Sequence, residues 1–235
     1  NFRNTAAYYK PVPPKEHRRL DIMTNLKRLL QPKSVALFGG VWAENVYTQL
    51  KKSSFNGKIW PVHPTKKKLG EHDCYENLEM LPDPPDAAFI GVNRTKTIEI
   101  VQKLDEMGAG GAVCFASGFS ETEAKGDNEN GHELQQKLVH AATNLAILGP
   151  NCYGFLNYVD NITLWPDQHG GQRVTTGVAI IAQSSNIAIN LTMQKRSLPI
   201  AYVLTVGNQA KNGISDLIQM LLKDNRVTAI GLYIE

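Results

Sequence analysis

Cysteine is scarce in this chain of 235 residues: Cys74, Cys114 and Cys152 stand far apart and form no CxxC pair. Neither a zinc knuckle nor a disulfide framework is indicated, and a reducing, cytoplasmic setting is the default. Long apolar runs are also missing. Nothing approaches the roughly 18 residues of a membrane span, and no signal-peptide core precedes the first predicted strand, so no membrane partner is expected. An excess of one charge is lacking too, since 25 Lys and Arg face 22 Asp and Glu. The lysines gather in short runs such as Lys66 to Lys68, without the basic stretches and interleaved aromatics of nucleic-acid binders. A small phosphate-bearing ligand suits this balance better than a polymer. The six histidines show no HxxxH or HExxH spacing, so no metal site is predicted.

What is present is a core-forming chain, 42% hydrophobic and 20% charged, long enough for one large or two modest domains. An amphipathic helix over Asp21 to Leu30 ends at Pro32. Apolar runs then recur as SVALF (34–38), KIWPV (58–62), DAAFIGV (86–92), GAVCFA (111–116) and LAILG (145–149), separated by helix-length stretches. Thr95 is expected to cap one of these helices, and Leu134, Leu138, Ala141 and Leu145 to form the inner face of another. Strands alternating with helices predict a parallel α/β sheet. A loop-rich passage, 151–176, is expected to separate a second cycle: GVAIIA (177–182), a helix from about Ser185, IAYVLTV (200–206), a helix from about Ile214, and VTAIGLYIE. The polar insert GDNENG (126–131) is expected to be exposed. The chain opens on Asn1 and stops directly after an apolar run, so a missing piece is expected.

In an open parallel sheet the loops at the C-terminal strand ends hold ligands. Gly39 and Gly40 follow the first strand and open a helix, an arrangement that lets backbone N–H groups meet a phosphate, or simply a tight turn. VHPTKKK, VNRT and ASGFSE end the next three strands. Lys66 is there a phosphate partner or a solvated lysine, and His63 before Pro64 is better read as structural. GPNC presents Asn151 and Cys152 to a cleft, or is a Gly-Pro turn with a packed cysteine; no partner base supports a cysteine nucleophile. Gln183, Ser184, Ser185 and Asn186 form the capping turn of a helix, where an anion could dock or the residues could only cap.

Taken together, LLQPKSVALFGG, GKIWPVHP, PDAAFIGV, GAVCFASGFSE, ILGPNCYG, IAQSSNIAINL, TVGNQA and DNRVTAIGLYIE resemble, in order, the NDP-forming acyl-CoA synthetases. That family includes ADP-forming acetate-CoA ligases and the alpha subunit of succinyl-CoA synthetase. The resemblance implies an N-terminal extension (1–25), a Rossmann-like CoA-binding domain (26–170) and the start of a flavodoxin-like, succinyl-CoA-synthetase-type domain (171–235), incomplete here. It implies CoA near Gly39, Gly40, His63, Pro64, Lys66, Val92, Asn93, Gly118, Phe119 and Glu121. It also implies catalytic roles around Ser184, Ser185, Asn151, Cys152 and Glu235, the acid that would hydrogen-bond a phosphorylated histidine lying beyond this sequence.

In the family an acyl phosphate is made from ATP and a carboxylic acid, a histidine takes the phosphoryl group, and the CoA thiol attacks the acyl carbonyl. CoA, ATP and Mg2+, a small carboxylic acid, an ATP-grasp domain or subunit and a homo- or hetero-oligomer follow as expectations, with ATP and Mg2+ placed on the missing part. The acid could be acetate-like or a zwitterion such as dimethylsulfoniopropionate. Two departures stand out: the usual SQSG turn reads AQSS (182–185), and the first glycine loop continues as WAENVY. A non-catalytic CoA-binding regulatory module is the alternative. An NAD-dependent oxidoreductase ranks last, because VHP stands where a ribose-binding acid would be needed.

Overall fold

The structure, a computed structural model, describes residues 15–122 and 130–235, and of the first helix it describes side chains from Ile22 onward. In chain order the elements are α1 (Lys15–Leu30), β1 (Ser34–Gly39), α2 (Val41–Lys52), β2 (Lys58–Val62), the small pair β3 (Lys68–Leu69) and β4 (His72–Asp73), β5 (Ala87–Gly91), α3 (Arg94–Glu106), β6 (Gly111–Cys114), α4 (Gly131–Ala141) and β7 (Ala146–Leu148). They continue as β8 (Phe155–Asn157), β9 (Ile162–Leu164), β10 (Gly177–Ala182), α5 (Ser185–Thr192), β11 (Ile200–Thr205), α6 (Ile214–Leu221) and β12 (Val227–Tyr233).

The first sheet runs β2-β1-β5-β6-β7 with parallel pairing throughout. Its strands are short apolar runs buried on both faces, as parallel strands covered by helices must be. Alternation divides the side chains. Val35, Leu37, Ala87 and Phe89 face α1, α2 and α6, whereas Ala36, Phe38, Ala88 and Ile90 face the residues of α3 and α4.

The second sheet runs β12-β10-β11-β8-β9 and is mixed: β12, β10 and β11 are parallel, while β8 and β9 pair antiparallel at the far side. The passage expected to be loop-rich therefore contains a hairpin. Its tip closes on Asn157, whose Oδ1 accepts the N–H groups of Val159 and Asp160 while its Nδ2 donates to the Leu30 carbonyl. Such an Asx turn makes a hairpin from two runs of three residues each.

Ala179, Ile181, Tyr202 and Leu204 of the second sheet share a buried cluster with Leu26, Leu29 and Leu30 of α1, with Val46 and Leu50 of α2, and with Leu217 and Leu221 of α6. The two sheets thus enclose one common core, and the opposite face of the second sheet packs on α5 through Ile180, Ala182 and Ala188. This sharing fixes the C-terminal strand ends of both sheets relative to each other. Two helix details differ from the sequence reading. Asn93, not Thr95, caps α3, its Oδ1 accepting the Lys96 N–H at 2.9 Å, because the extended backbone at Asn93 aims the side chain at the free first-turn donors. Helix α4 ends at Ala141, and Leu145 lies buried in the turn before β7. The insert expected at 126–131 falls mainly outside the described residues. Among the described residues no helix is long and apolar enough to cross a membrane.

Candidate functional site

Strand order in the first sheet reverses between β1 and β5, which opens a crevice at their C-terminal ends. Gly39 pairs with Gly91 there, with φ at +126°. A Cβ at Gly39 would lie 2.6 Å from the Gly91 carbonyl oxygen, so only glycine allows this approach. A Cβ at Gly40 would meet nothing within 4 Å, and α2 starts there without a side-chain cap. The first N–H groups of α2 therefore open onto free space, a cradle fitted to an anion.

Around this crevice the sequence-predicted loops divide. His63 Nδ1 accepts the N–H groups of Thr65 at 3.2 Å and Lys66 at 3.0 Å, so the ring organises its own turn, with Pro64 inside it. Lys66 is paired with Glu44 on α2. Glu121 accepts the N–H groups of Gly118 and Phe119 and a bond from Asn208, which commits its carboxylate to the loop. Phe119 is fully buried in the core against α4. Its side chain holds the loop from behind.

The remaining predicted residues converge. A cleft of about 880 Å³ is bordered by Val92 and Asn93 after β5, Asn151 and Cys152 after β7, Ser184 and Ser185 at the start of α5, and Glu235 after β12. Both sheets contribute their C-terminal strand ends. The GPNC loop contains a cis Gly149–Pro150 bond and places Asn151 at φ +60°. It is clamped by the TVGNQA loop: Asn208 N–H donates to the Pro150 carbonyl and Ala210 N–H to that of Gly149, each at 3.0 Å. Gly207 makes this possible, since a Cβ there would fall 2.2 Å from the Pro150 oxygen.

The start of α5 is uncommitted in a way that the start of α3 is not. Ser184 occupies the N-cap position but makes no side-chain cap bond. Ser185 Oγ accepts the Tyr153 N–H at 3.2 Å, tying the helix start to the GPNC loop, and Gln183 Oε1 accepts the Glu235 N–H at 2.9 Å. First-turn N–H groups with the positive end of the helix dipole thus face a cleft that Glu235 also borders. Cys152 is 2% exposed, and burial pushes its thiol up to about 12. At neutral pH it is a protonated packing group at the edge of the cleft.

Sequence reasoning passed over the aromatic wall. Trp42 packs on Phe115 with ring centroids 4.6 Å apart, Phe115 on Tyr153 at 5.7 Å, and Tyr153 edge-on to buried Trp165 at 5.3 Å. Trp42, Phe115 and Tyr153 all line the cleft, together with Arg94. Each follows a strand end or a recognised loop, and that position was the available signal.

Two family models match this chain. The model described as a CoA binding domain matches residues 33–158, and the one described as a succinyl-CoA ligase like flavodoxin domain matches residues 175–235. The chain belongs to the ADP-forming acyl-CoA synthetase family. Among relatives, acetate–CoA ligase [ADP-forming] II of Archaeoglobus fulgidus is 30% identical over 94% of this chain and 34% of its own length. A trans-feruloyl-CoA synthase from an unknown prokaryotic organism is 30% identical over 89% of this chain and 31% of its own length. The apo structure of the dinucleotide-forming acetyl-coenzyme A synthetase 1 of Ca. Korarchaeum cryptofilum superposes with a TM-score of 0.79 at 27% identity, covering 89% of this chain and 46% of that one. The chain therefore spans about a third of the length of the curated synthetases it matches.

Proposed function

We propose that this chain is the CoA-binding part of an ATP-dependent, ADP-forming ligase that converts a small carboxylic acid to its CoA thioester through an acyl phosphate and a phosphohistidine, the histidine being supplied by another part of the protein. The observation that carries the reading is the single cleft in which Val92 to Arg94 and Asn151 of the CoA-binding sheet meet the open start of α5 and Glu235 of the second sheet. A ligand whose thiol must reach the acyl carbon of an acyl phosphate needs the thiol and the phosphoryl-binding groups within one enclosure. The glycine cradle at Gly39 and Gly40 suits the phosphates of CoA, and Lys66 is brought beside it by the turn that His63 organises.

When bound, CoA supplies the thiol that forms the C–S bond as the acyl carbon–oxygen bond to phosphate breaks. The chain's own residues prepare that exchange. The first-turn N–H groups of α5, with the Ser184 hydroxyl left free of its cap, hold phosphoryl oxygens against the helix dipole. The Glu235 carboxylate holds a histidine ring from another part of the protein in the orientation and charge state that accepts a phosphoryl group. Asn151, held in the left-handed region by the clamp from Gly207, presents its amide to the acyl oxygen. ATP and Mg2+ belong with an ATP-grasp domain or partner subunit, in a homo- or hetero-oligomer of the cytoplasm.

For the acid, the aromatic wall of Trp42, Phe115 and Tyr153 favours a planar or cationic body over a bare acetate. The relative named as a trans-feruloyl-CoA synthase supports the planar option, and dimethylsulfoniopropionate, whose sulfonium would rest on the same rings, is the finer alternative. A regulatory CoA-binding module without catalysis is the competing reading. Labelled ATP given to the complete protein separates them. A ligase becomes phosphorylated on histidine and releases the label when acid and CoA are added, and Glu235→Ala lowers that phosphorylation about 100-fold while CoA binding stays nearly unchanged. A complete protein that takes no label is the regulatory module.

A further inference from the structure

Glu44 and Lys66 form an ion pair between the first turn of α2 and the loop after β2, and nothing in the ligand reading uses the pair itself. Glu44 lies in the first turn of α2, directly beyond Gly40. Lys66 is delivered from the opposite side by the turn that His63 Nδ1 organises, through its bonds to the Thr65 and Lys66 N–H groups. The open cradle above Gly40, the start of the α2 dipole and the lysine are the three elements of a phosphate site, and a carboxylate of the same chain holds the lysine.

Resting on the reading that CoA binds in this crevice, we infer that Glu44 is an internal stand-in for a ligand phosphate and sets the affinity for CoA by competing for Lys66. The side chains of Lys66 and Glu44 are 40% and 45% exposed. A pair so exposed is weak and exchanges readily with solvent ions, so an arriving phosphate can displace the carboxylate. It does so against like-charge repulsion from a glutamate that cannot leave the helix. The pair therefore keeps the lysine beside the start of α2 while lowering net affinity, and ligands with fewer negative charges at this point are penalised less. That makes Glu44 a residue of discrimination between phosphorylated and unphosphorylated forms of one ligand.

The test is calorimetric titration of the 235-residue chain and its Glu44→Gln variant with CoA and with 3′-dephospho-CoA, with thermal melts to confirm the fold of this isosteric, exposed change. Glu44→Gln is expected to bind CoA about three- to tenfold more tightly. If the ribose phosphate is the group that meets Lys66, 3′-dephospho-CoA shows no gain; if the diphosphate is, both ligands gain equally. In Lys66→Ala the effect of Glu44→Gln shrinks, as coupled partners require. Unchanged or weaker CoA binding by Glu44→Gln, with the parent chain binding CoA normally, overturns the inference and leaves the CoA reading standing. Absence of CoA binding by the parent chain overturns the reading and the inference with it.

Discussion

At the N-terminal edge of the second sheet Arg226 reaches Asp160 through two bonds of 2.7 and 3.0 Å and Asp224 through bonds of 2.8 Å, while the Tyr202 hydroxyl donates to Asp224 at 2.8 Å. At the C-terminal edge Ser184 caps nothing, and the Glu235 carboxylate has no partner among the described residues. One edge spends its polar groups on itself, joining the β8–β9 hairpin tip, β11 and the segment before β12. The other leaves donors and acceptors facing a cleft. Polar groups of similar type thus separate by whether the fold has already satisfied them. That difference, more than their identity, marks where a ligand belongs.

Removing Arg226 should break the comparison most strongly, because the Asp224 side chain is only 8% exposed and would lose its counter-charge. Arg226→Met is expected to cost about 3 kcal/mol in urea unfolding with CoA affinity unaltered. Loss of CoA affinity in a folded variant would show that the two edges are coupled.

The acid limb of stability sharpens the same point. Hydrogen bonding from Arg226, helped by Tyr202, holds the Asp224 carboxyl down to about 2 against the desolvation that opposes it. A carboxyl lowered on folding adds stability that is present above its unfolded value, about 3.9, and is lost as pH falls through about 2. Stability of the parent chain should therefore hold to about pH 4 and decline below, and in Arg226→Met the part of this decline that Asp224 contributes should disappear. Identical acid limbs would remove the assigned role.

The two helix starts give a smaller, paired contrast. Asn93→Ala should cost about 1 kcal/mol, since its side chain caps α3. Ser184→Ala should change stability by less than about 0.5 kcal/mol while slowing phosphoryl transfer in the complete enzyme. Equal stability costs at both positions would make Ser184 an ordinary cap.

Much of the fold and the position of its loops was legible in the sequence, for identifiable reasons. Strands such as β1 and β5 are short apolar runs buried on both faces, and the rule that ligands gather at C-terminal strand ends singled out the loop of Val92 and Asn93, while Asn151 was legible as a loop residue after a strand, Ser184 as the capping turn of a helix and Glu235 only through the family resemblance. The hairpin β8–β9 was not legible, because its runs of three residues carry too little periodicity, and its turn depends on the Asn157 side chain reaching Leu30. Nor was the committed state of Glu121, Lys66 or Phe119, which depends on partners distant in sequence: Asn208, Glu44 and the core beside α4. Sequence pattern identified the loops. Only the fold distinguished the groups already bonded from those left open.

The central claim is that this crevice is built for CoA, and titration of the chain with CoA and with NAD under the same salt tests it most directly. The account predicts measurable CoA binding that weakens in Lys66→Ala and little or no binding of NAD. NAD binding tighter than CoA would contradict it.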